Sequence, residues 1–285
     1  MTPVRETTEA LPGVPLETGA VVGLSLVAAT LAITPWILAV ARRLFPGRNV
    51  VFARWGFSHV VLATFLWLVL SMSFAPLVAE GAGLHVLLLA GATVQGTVCA
   101  VIAYWASKRD PAGVRALGLW PGLNLRAMAV GLGTYFLCLP GIIGLGVAWP
   151  WLLSRVDVPF EEQPYARGLL ELSGGQLGLA IALAVLVVPL LEEILFRSFL
   201  QPLLVQNFRD KGGVLLTAAL FAALHGTSAF LMIFGLSLVL GAIMLRTQRL
   251  LAVWAIHAVH NGWQVALFVF APELVPEGGG APLLF

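Results

Sequence analysis

Two adjacent carboxylates, Glu192 and Glu193, lie together with Arg197 inside a run of sequence that is otherwise apolar. A charged side chain near the centre of a bilayer costs at least ~2.5–3.5 kcal/mol, so ionisable groups in such a run are candidates for function. In a helix, Glu193 and Arg197 are four residues apart and share a face, whereas Glu192 is turned about 100° away from Glu193. Arg197 therefore pairs best with Glu193, which leaves Glu192 as a carboxylate that could take up a proton.

Further polar side chains interrupt two other apolar segments. His225 ends one of them, and His257 and Asn261 are four residues apart, on one helical face, in the other. Polar groups in a membrane bundle turn toward one another and away from lipid. We therefore expect these groups to meet Glu192 and Glu193 inside the bundle.

Each of these residues also has a purely structural interpretation. The pair of Glu193 and Arg197 is more typical of a helix-orienting ion pair than of a catalytic group, because a buried arginine must be neutralised. A single His225 would be typical of a hydrogen-bonded core histidine, and a single Asn261 of a contact between helices. Their combination with an unpaired Glu192 favours a functional site. His260 could line the same cavity, but packing explains it equally well.

The composition places these segments in a membrane. The chain has 285 residues, of which 59% are hydrophobic and 11% charged, and its mean hydropathy is +0.95. Such values predict a polytopic, all-α membrane helix bundle with the site inside it. No basic run with interleaved aromatic residues indicates nucleic acid. The two cysteines, Cys99 and Cys138, lie in apolar segments and predict neither a disulfide framework nor a cysteine metal site.

About 20 apolar residues are needed for one helical crossing, and the chain offers eight candidates, so we expect about eight transmembrane helices. The sixth is short, because its thirteen residues reach only about 20 Å, so it should end near His225 before it crosses. The candidates are Ala20–Val40, Phe57–Ala79, Leu84–Ala106, Ala127–Trp149, Leu177–Val205, Gly213–His225, Ala229–Leu245 and Leu251–Phe270.

The charged residues between these segments predict the topology. Twelve of the sixteen basic residues follow the first, third, fifth and seventh segments. Ten of the fourteen acidic residues fall in the alternate connections or the terminal segments. By the positive-inside rule, eight crossings then leave both termini extracytoplasmic.

The same pattern divides the chain. We expect a disordered tail at 1–18, three helices and a membrane-surface segment at 19–126, a functional core at 127–272 and a second tail at 273–285.

Three motifs in order carry a resemblance to a known family. They are Glu192-Glu193-x-x-x-Arg197, Phe221-x-x-x-His225 and His257-x-x-x-Asn261. They resemble the motifs of the CAAX-processing and bacteriocin-processing intramembrane proteases, the family that includes the eukaryotic enzyme that trims prenylated proteins. The resemblance covers roughly residues 127–270 and is most specific over 188–262. The first motif alone is weak, but three motifs on three hydrophobic segments are specific.

The resemblance implies an intramembrane endopeptidase and a role for each motif residue. Glu192 would be the general base, and His225 would help it to hold and activate water. His257 and Asn261 would stabilise the oxyanion, with Glu193 and Arg197 in support. The family is described both as metalloproteases and as glutamate-type proteases. We expect no metal, because a glutamate bound to zinc could not serve freely as the base; if zinc is bound, its ligands would be Glu192, His225 and His257.

Two other function classes stay open. A proton-coupled transporter could use the buried charges as a relay, although no internal repeat with paired broken helices favours it. An immunity or scaffolding protein could retain the same residues for structure. For the peptidase, the expected partners are a membrane-anchored protein or peptide substrate and the lipid bilayer. The low lysine content and the charge pattern favour a bacterial plasma membrane, where prenylation is the least expected substrate mark.

Overall fold

A computed structural model describes residues 9–11, 14–44, 53–118, 124–160 and 168–270. Nearly all of these residues are helical, and the strands β1 and β2 form a short antiparallel pair just before the first helix. The strands are β1 Glu9–Leu11 and β2 Val14–Pro15, and the helices are α1 Leu16–Leu44, α2 Phe57–Ser73, α3 Ala75–Ala79, α4 Leu84–Arg109, α5 Leu125–Ser154, α6 Gly174–Ala182, α7 Val188–Glu193, α8 Gln201–Ala223, α9 Phe230–Thr247 and α10 Leu250–Phe270, with a 3₁₀ turn at Gly113–Leu117.

Helices α6, α7 and α8 follow one another without a break, because π-helical turns at Leu183–Val187 and Ile194–Leu200 connect them. Each π segment is followed, two residues later, by a proline, Pro189 or Pro202. A proline has no N–H to continue the α-helical hydrogen bonds, so the backbone register must change around it. The sequence thereby places the Glu192-Glu193 pair on a short α-helical turn between two widened ones.

The continuous helix ends within α8, where Arg209 adopts φ 62° and ψ 173°. The two arms of α8 on either side of this residue lie so close that a Cβ at Gly213 would collide with the backbone of Val205. This is a helical hairpin whose turn carries Arg209 and Lys211. The second arm ends at Ala223, so the short sixth segment expected from the sequence is confirmed.

Five helices are long and apolar enough to cross a membrane within the part of the chain that the structure describes. One of them, Gly174–Ala223, contains the hairpin and so combines the fifth and sixth predicted segments. Helix α10 has 21 residues, but its histidines and amides lower its hydropathy. The protein is an integral membrane protein with an all-α bundle. The exact number of eight crossings stays a prediction.

The predicted boundaries differ from the structure in places. The second segment, expected as one helix at Phe57–Ala79, is split at Phe74, because Pro76 starts a new first turn in α3. In the predicted N-terminal tail, β1 and β2 pair and α1 already begins at Leu16. Residues 1–8 of that tail and the predicted tail at 273–285 lie outside the described residues.

The core that positions the site lies between α5, α9 and α10. Phe199 and Leu203 pack against α4 and against Trp55, which precedes α2. Trp55 donates a hydrogen bond to the carbonyl of Phe199 at 2.8 Å. Helix α1 packs on α5 through glycines, since a Cβ at Gly23 would meet the backbone of Gly144. Small residues allow such close approach of membrane helices.

Candidate active site

Glu192 faces two imidazole rings from two other helical segments. Its Oε1 lies 4.0 Å from Nε2 of His225, and its Oε2 lies 3.7 Å from Nε2 of His257. Both distances exceed a direct hydrogen bond and are short enough for one water to contact both groups. The side chain of Glu192 is 15% exposed and that of His225 is 23% exposed, so a small molecule can reach the space between them.

The backbone fixes the proton arrangement of His225. Its Nδ1 lies 2.7 Å from the carbonyl oxygen of Phe221, one turn earlier in α8. A carbonyl oxygen only accepts, so Nδ1 carries the proton and Nε2 of the neutral ring is an acceptor. The ring also packs on the Phe221 ring, with 4.5 Å between the centroids. His225 therefore presents an acceptor nitrogen to the carboxylate oxygen of Glu192.

Glu193 bridges the arginine and the second histidine. One carboxylate oxygen lies 2.9 Å from Nδ1 of His257, and the other lies 3.2 Å from Nε of Arg197. Glu193 and Arg197 are fully buried. The ion pair that we expected from the spacing is present, but Glu193 also orients His257. With Nδ1 donating to Glu193, Nε2 is the atom that His257 turns toward Glu192.

Arg197 is held by groups that the sequence did not indicate. Its Nη2 donates to Oγ of Ser237 in α9 at 3.0 Å. Its guanidinium also lies over the ring of Phe221, 4.8 Å from the centroid, at a distance typical of a cation–π contact. Ser237 is a single hydroxyl in an apolar segment, and nothing in its spacing signals a partner on another helix.

Asn261 lies on the same face of α10 as His257 but one turn away from it. Its Nδ2 donates to the carbonyl oxygen of Ala184 at 3.0 Å. The residues four and five positions on do not donate to this carbonyl, because the N–H of Val188 bonds to Leu183 and Pro189 has no N–H. One amide hydrogen of Asn261 thus satisfies a carbonyl of the π turn.

A second buried polar group lies next to the site on α10. The Tyr135 hydroxyl lies 3.0 Å from Nδ1 of His260 and accepts a hydrogen bond from Nε1 of Trp263 at 2.9 Å. The amide of Gln264 lies 3.1 Å from Nε2 of His260. His260, Tyr135 and Gln264 are fully buried. His260 therefore fixes α10 against α5 and does not face Glu192, in agreement with its packing interpretation.

The three motifs thus lie together in the structure, and all of them also lie within a match to a known protein family. The family model described as type II CAAX prenyl endopeptidase Rce1-like matches residues 175–263. Residues 175–263 are Rce1-like. The matched segment contains all three motifs, so the resemblance seen in the sequence is confirmed there. The Rce1-like match indicates a membrane peptidase of the CAAX endopeptidase type. Searches of curated proteins and of solved structures returned no match.

Glu192, His225 and His257 offer donors of the right kind for zinc. Among the described residues, however, no three or more His, Cys, Asp or Glu side chains are grouped as metal ligands require. Glu192, His225 and His257 are therefore not arranged as a zinc site, and no step of the reaction is assigned to a metal.

Proposed function

We propose that the protein is an intramembrane endopeptidase in which Glu192 and His225 activate a water molecule. The observation that carries this proposal is the pair of acceptors, the carboxylate of Glu192 and Nε2 of His225, 4.0 Å apart. A water between two acceptors points one O–H at each and turns a lone pair outward. That orientation is the one needed for attack on a peptide carbonyl.

The reaction then follows from the positions of the remaining groups. The water oxygen bonds to the carbonyl carbon, its proton passes to Glu192, and the carbonyl oxygen becomes an oxyanion. When His257 is doubly protonated, it carries a second N–H at Nε2 besides the one on Glu193. That N–H and an amide N–H of Asn261 stabilise the charge, a contribution of ~3–4 kcal/mol per donor in other acyl-transfer enzymes. Glu192 returns the proton to the leaving nitrogen as the C–N bond breaks. Glu193 acts as a positioning residue through its bond to His257.

The substrate is a membrane-anchored protein or peptide, because the site lies among helices that cross the bilayer. Prenylated carboxyl termini, leader peptides of bacteriocins and carboxyl-terminal membrane anchors all fit this class. Residues 1–126 do not select among them. The charge pattern of the connections supports a bacterial plasma membrane with both termini outside, in which prenylation is the least expected mark.

The first test replaces Glu192 by Gln and, separately, His225 by Ala. We expect cleavage to fall about 10²–10⁴-fold in each variant, the usual contribution of general base catalysis, while insertion and thermal stability are retained. Mass spectrometry of membrane proteins from cells with each variant would identify the terminus that changes. Glu171→Gln, at an exposed glutamate, is the matched control. Full activity of Glu192→Gln or His225→Ala would contradict the mechanism, and stoichiometric zinc in the purified active protein would overturn its metal-free form.

A further inference from the structure

A small cavity lies beside Arg197 of the buried ion pair. Its volume is about 10 Å³, which is about the room that one water molecule needs. It extends along the first arm of the hairpin toward the turn between α9 and α10. Its lining includes Arg197, Gln201, Val205, Met244, Leu245 and Gln248.

Three polar atoms of this lining have no hydrogen-bond partner among the described residues: Nε and Nη1 of Arg197 and Oε1 of Gln201. Of these, Nε faces the carboxylate of Glu193 in the ion pair. Both residues are buried, Arg197 at 0% and Gln201 at 2% exposure. The amide of Gln201 cannot rotate freely, because its Nε2 donates to the carbonyl of Gly241 at 2.9 Å. An unmade bond of a buried polar atom costs about 1–3 kcal/mol, and more for a charged group. A donor and an acceptor that line a cavity of this size are the partners of a water.

The cavity lies between Arg197 of the buried ion pair and the end of the bundle where the basic residues lie. Gln248 is in the turn after α9, next to Arg246 and Arg249. From there His257 is about 10 Å deeper along α10, counting from Leu250. Arg197 contacts the carboxylate of Glu193 and lines the cavity together with Gln201 and Gln248. These side chains form a polar line from the turn to Glu193.

We propose that a hydrated passage lined by Gln248, Gln201 and Arg197 supplies the buried carboxylates with water from the basic end of the bundle. This inference rests on the proposed function, because hydrolysis consumes one water for each peptide bond. The surrounding lipid offers no hydrogen bonds to carry water to the site. Polar side chains that line a cavity are the means by which water reaches such depth.

Hydroxyl-radical footprinting of the full-length protein in lipid nanodiscs tests the hydration directly. Radicals form from water beside the residue that they oxidise. Met244 lines the cavity and is 4% exposed, whereas Met232 is 1% exposed and belongs to the same apolar core. We expect Met244 to be oxidised several-fold faster than Met232. Equal rates for the two methionines would overturn the proposal.

Two variants test whether the water serves the reaction. Gln201→Leu removes the acceptor, and Leu245→Trp fills the cavity without removing the bond to Gly241. Each should lower both the oxidation of Met244 and the kcat of cleavage several-fold, with KM unchanged. Unchanged oxidation and kcat in the folded variants would contradict the passage. The two proposals fail separately, since Met244 can be oxidised in a protein without peptidase activity, and Glu192→Gln can abolish cleavage while Met244 is not oxidised.

Discussion

Glu192 and Glu193 are neighbours in sequence, but the helix gives them different surroundings. Glu193 is fully buried against a guanidinium and an imidazole N–H, whereas Glu192 is partly exposed between two ring nitrogens. The rotation of about 100° between consecutive residues of a helix accounts for this separation. One carboxylate is therefore committed to structure and the other is available to a substrate.

The Glu193–Arg197 pair permits a test that separates stability from activity. Removal of one partner of a buried pair typically costs 3–5 kcal/mol, because the other charge is left uncompensated. We expect Glu193→Leu and Arg197→Met each to be destabilised by about that amount. The double variant should recover most of the stability, since apolar replacement of both charges is often neutral. Thermal unfolding in detergent measures this recovery.

Cleavage by the double variant should remain low, because Nδ1 of His257 loses its acceptor when Glu193 is absent. Stability and cleavage are measured on the same double variant as an internal control. Recovered stability shows that the loss of activity does not come from a loss of fold. If the double variant were as unstable as the less stable of the two single variants, that result would contradict the ion pair between Glu193 and Arg197. A double variant that cleaves at the wild-type rate would contradict the positioning role of Glu193.

At the scale of elements, the two π segments explain why several side chains bond to backbone carbonyls of the central helix. Asn261 donates to Ala184, Trp254 donates to Leu186 at 2.9 Å and Trp55 donates to Phe199. Register changes in a helix leave carbonyls without their usual N–H. Side chains of neighbouring helices take their place, and so hold the turn that carries Glu192 and Glu193 in a fixed rotation.

Asn261 could hydrogen-bond the backbone, stabilise the oxyanion, or do both. A second substitution, at Pro189, distinguishes these roles. Asn261→Ala leaves the carbonyl of Ala184 unpaired and should cost about 1–3 kcal/mol in stability. Adding Pro189→Ala supplies a backbone N–H at the position where the π turn lacks one, and should recover that stability. If Asn261 stabilises the oxyanion, cleavage by the double variant stays about 10²–10³-fold low.

Pro189→Ala alone is the matched control for this experiment and should cleave at close to the wild-type rate. Cleavage rates and unfolding temperatures of the three variants are compared in the same detergent. Recovery of both stability and cleavage in the double variant would show that Asn261 only supports the backbone.

The sequence predicted much of this arrangement, and its failures have physical causes. The length of the sixth segment and the position of His225 followed from helix geometry alone. The contact between Glu193 and His257 did not, because spacing along one helix says nothing about the rotation of another helix that packs on it. The π turns and the bond between Arg197 and Ser237 were missed for a related reason. Both depend on tertiary contacts that compensate a local irregularity.

At the scale of the molecule, the cavity lies nearer to one end of the bundle than to the other. The hairpin turn with Arg209 and Lys211 and the turn with Gln248 lie at one end, and the loop with Asp157 lies at the other. Helix α10 begins at the first end, where the backbone N–H of Leu250 bonds to the carbonyl of Gly118 at 3.4 Å. His257 is seven residues from that start, whereas His225 lies beyond the far end of the second hairpin arm, about 20 Å from the hairpin turn. The cavity, which Gln248 lines, thus lies toward the end with the basic residues.

This asymmetry makes membrane orientation part of the mechanism, and single cysteines at the two ends test it. In a background with Cys99 and Cys138 replaced by Ala, Asp157→Cys and Lys211→Cys each place one thiol at an exposed position. By the positive-inside rule, an impermeant maleimide should label the cysteine at 157 in intact cells and the one at 211 only after permeabilisation. Labelling of both thiols in denatured protein is the control. The reverse pattern would place the water passage on the outer face and require the hydrolytic water to enter from outside.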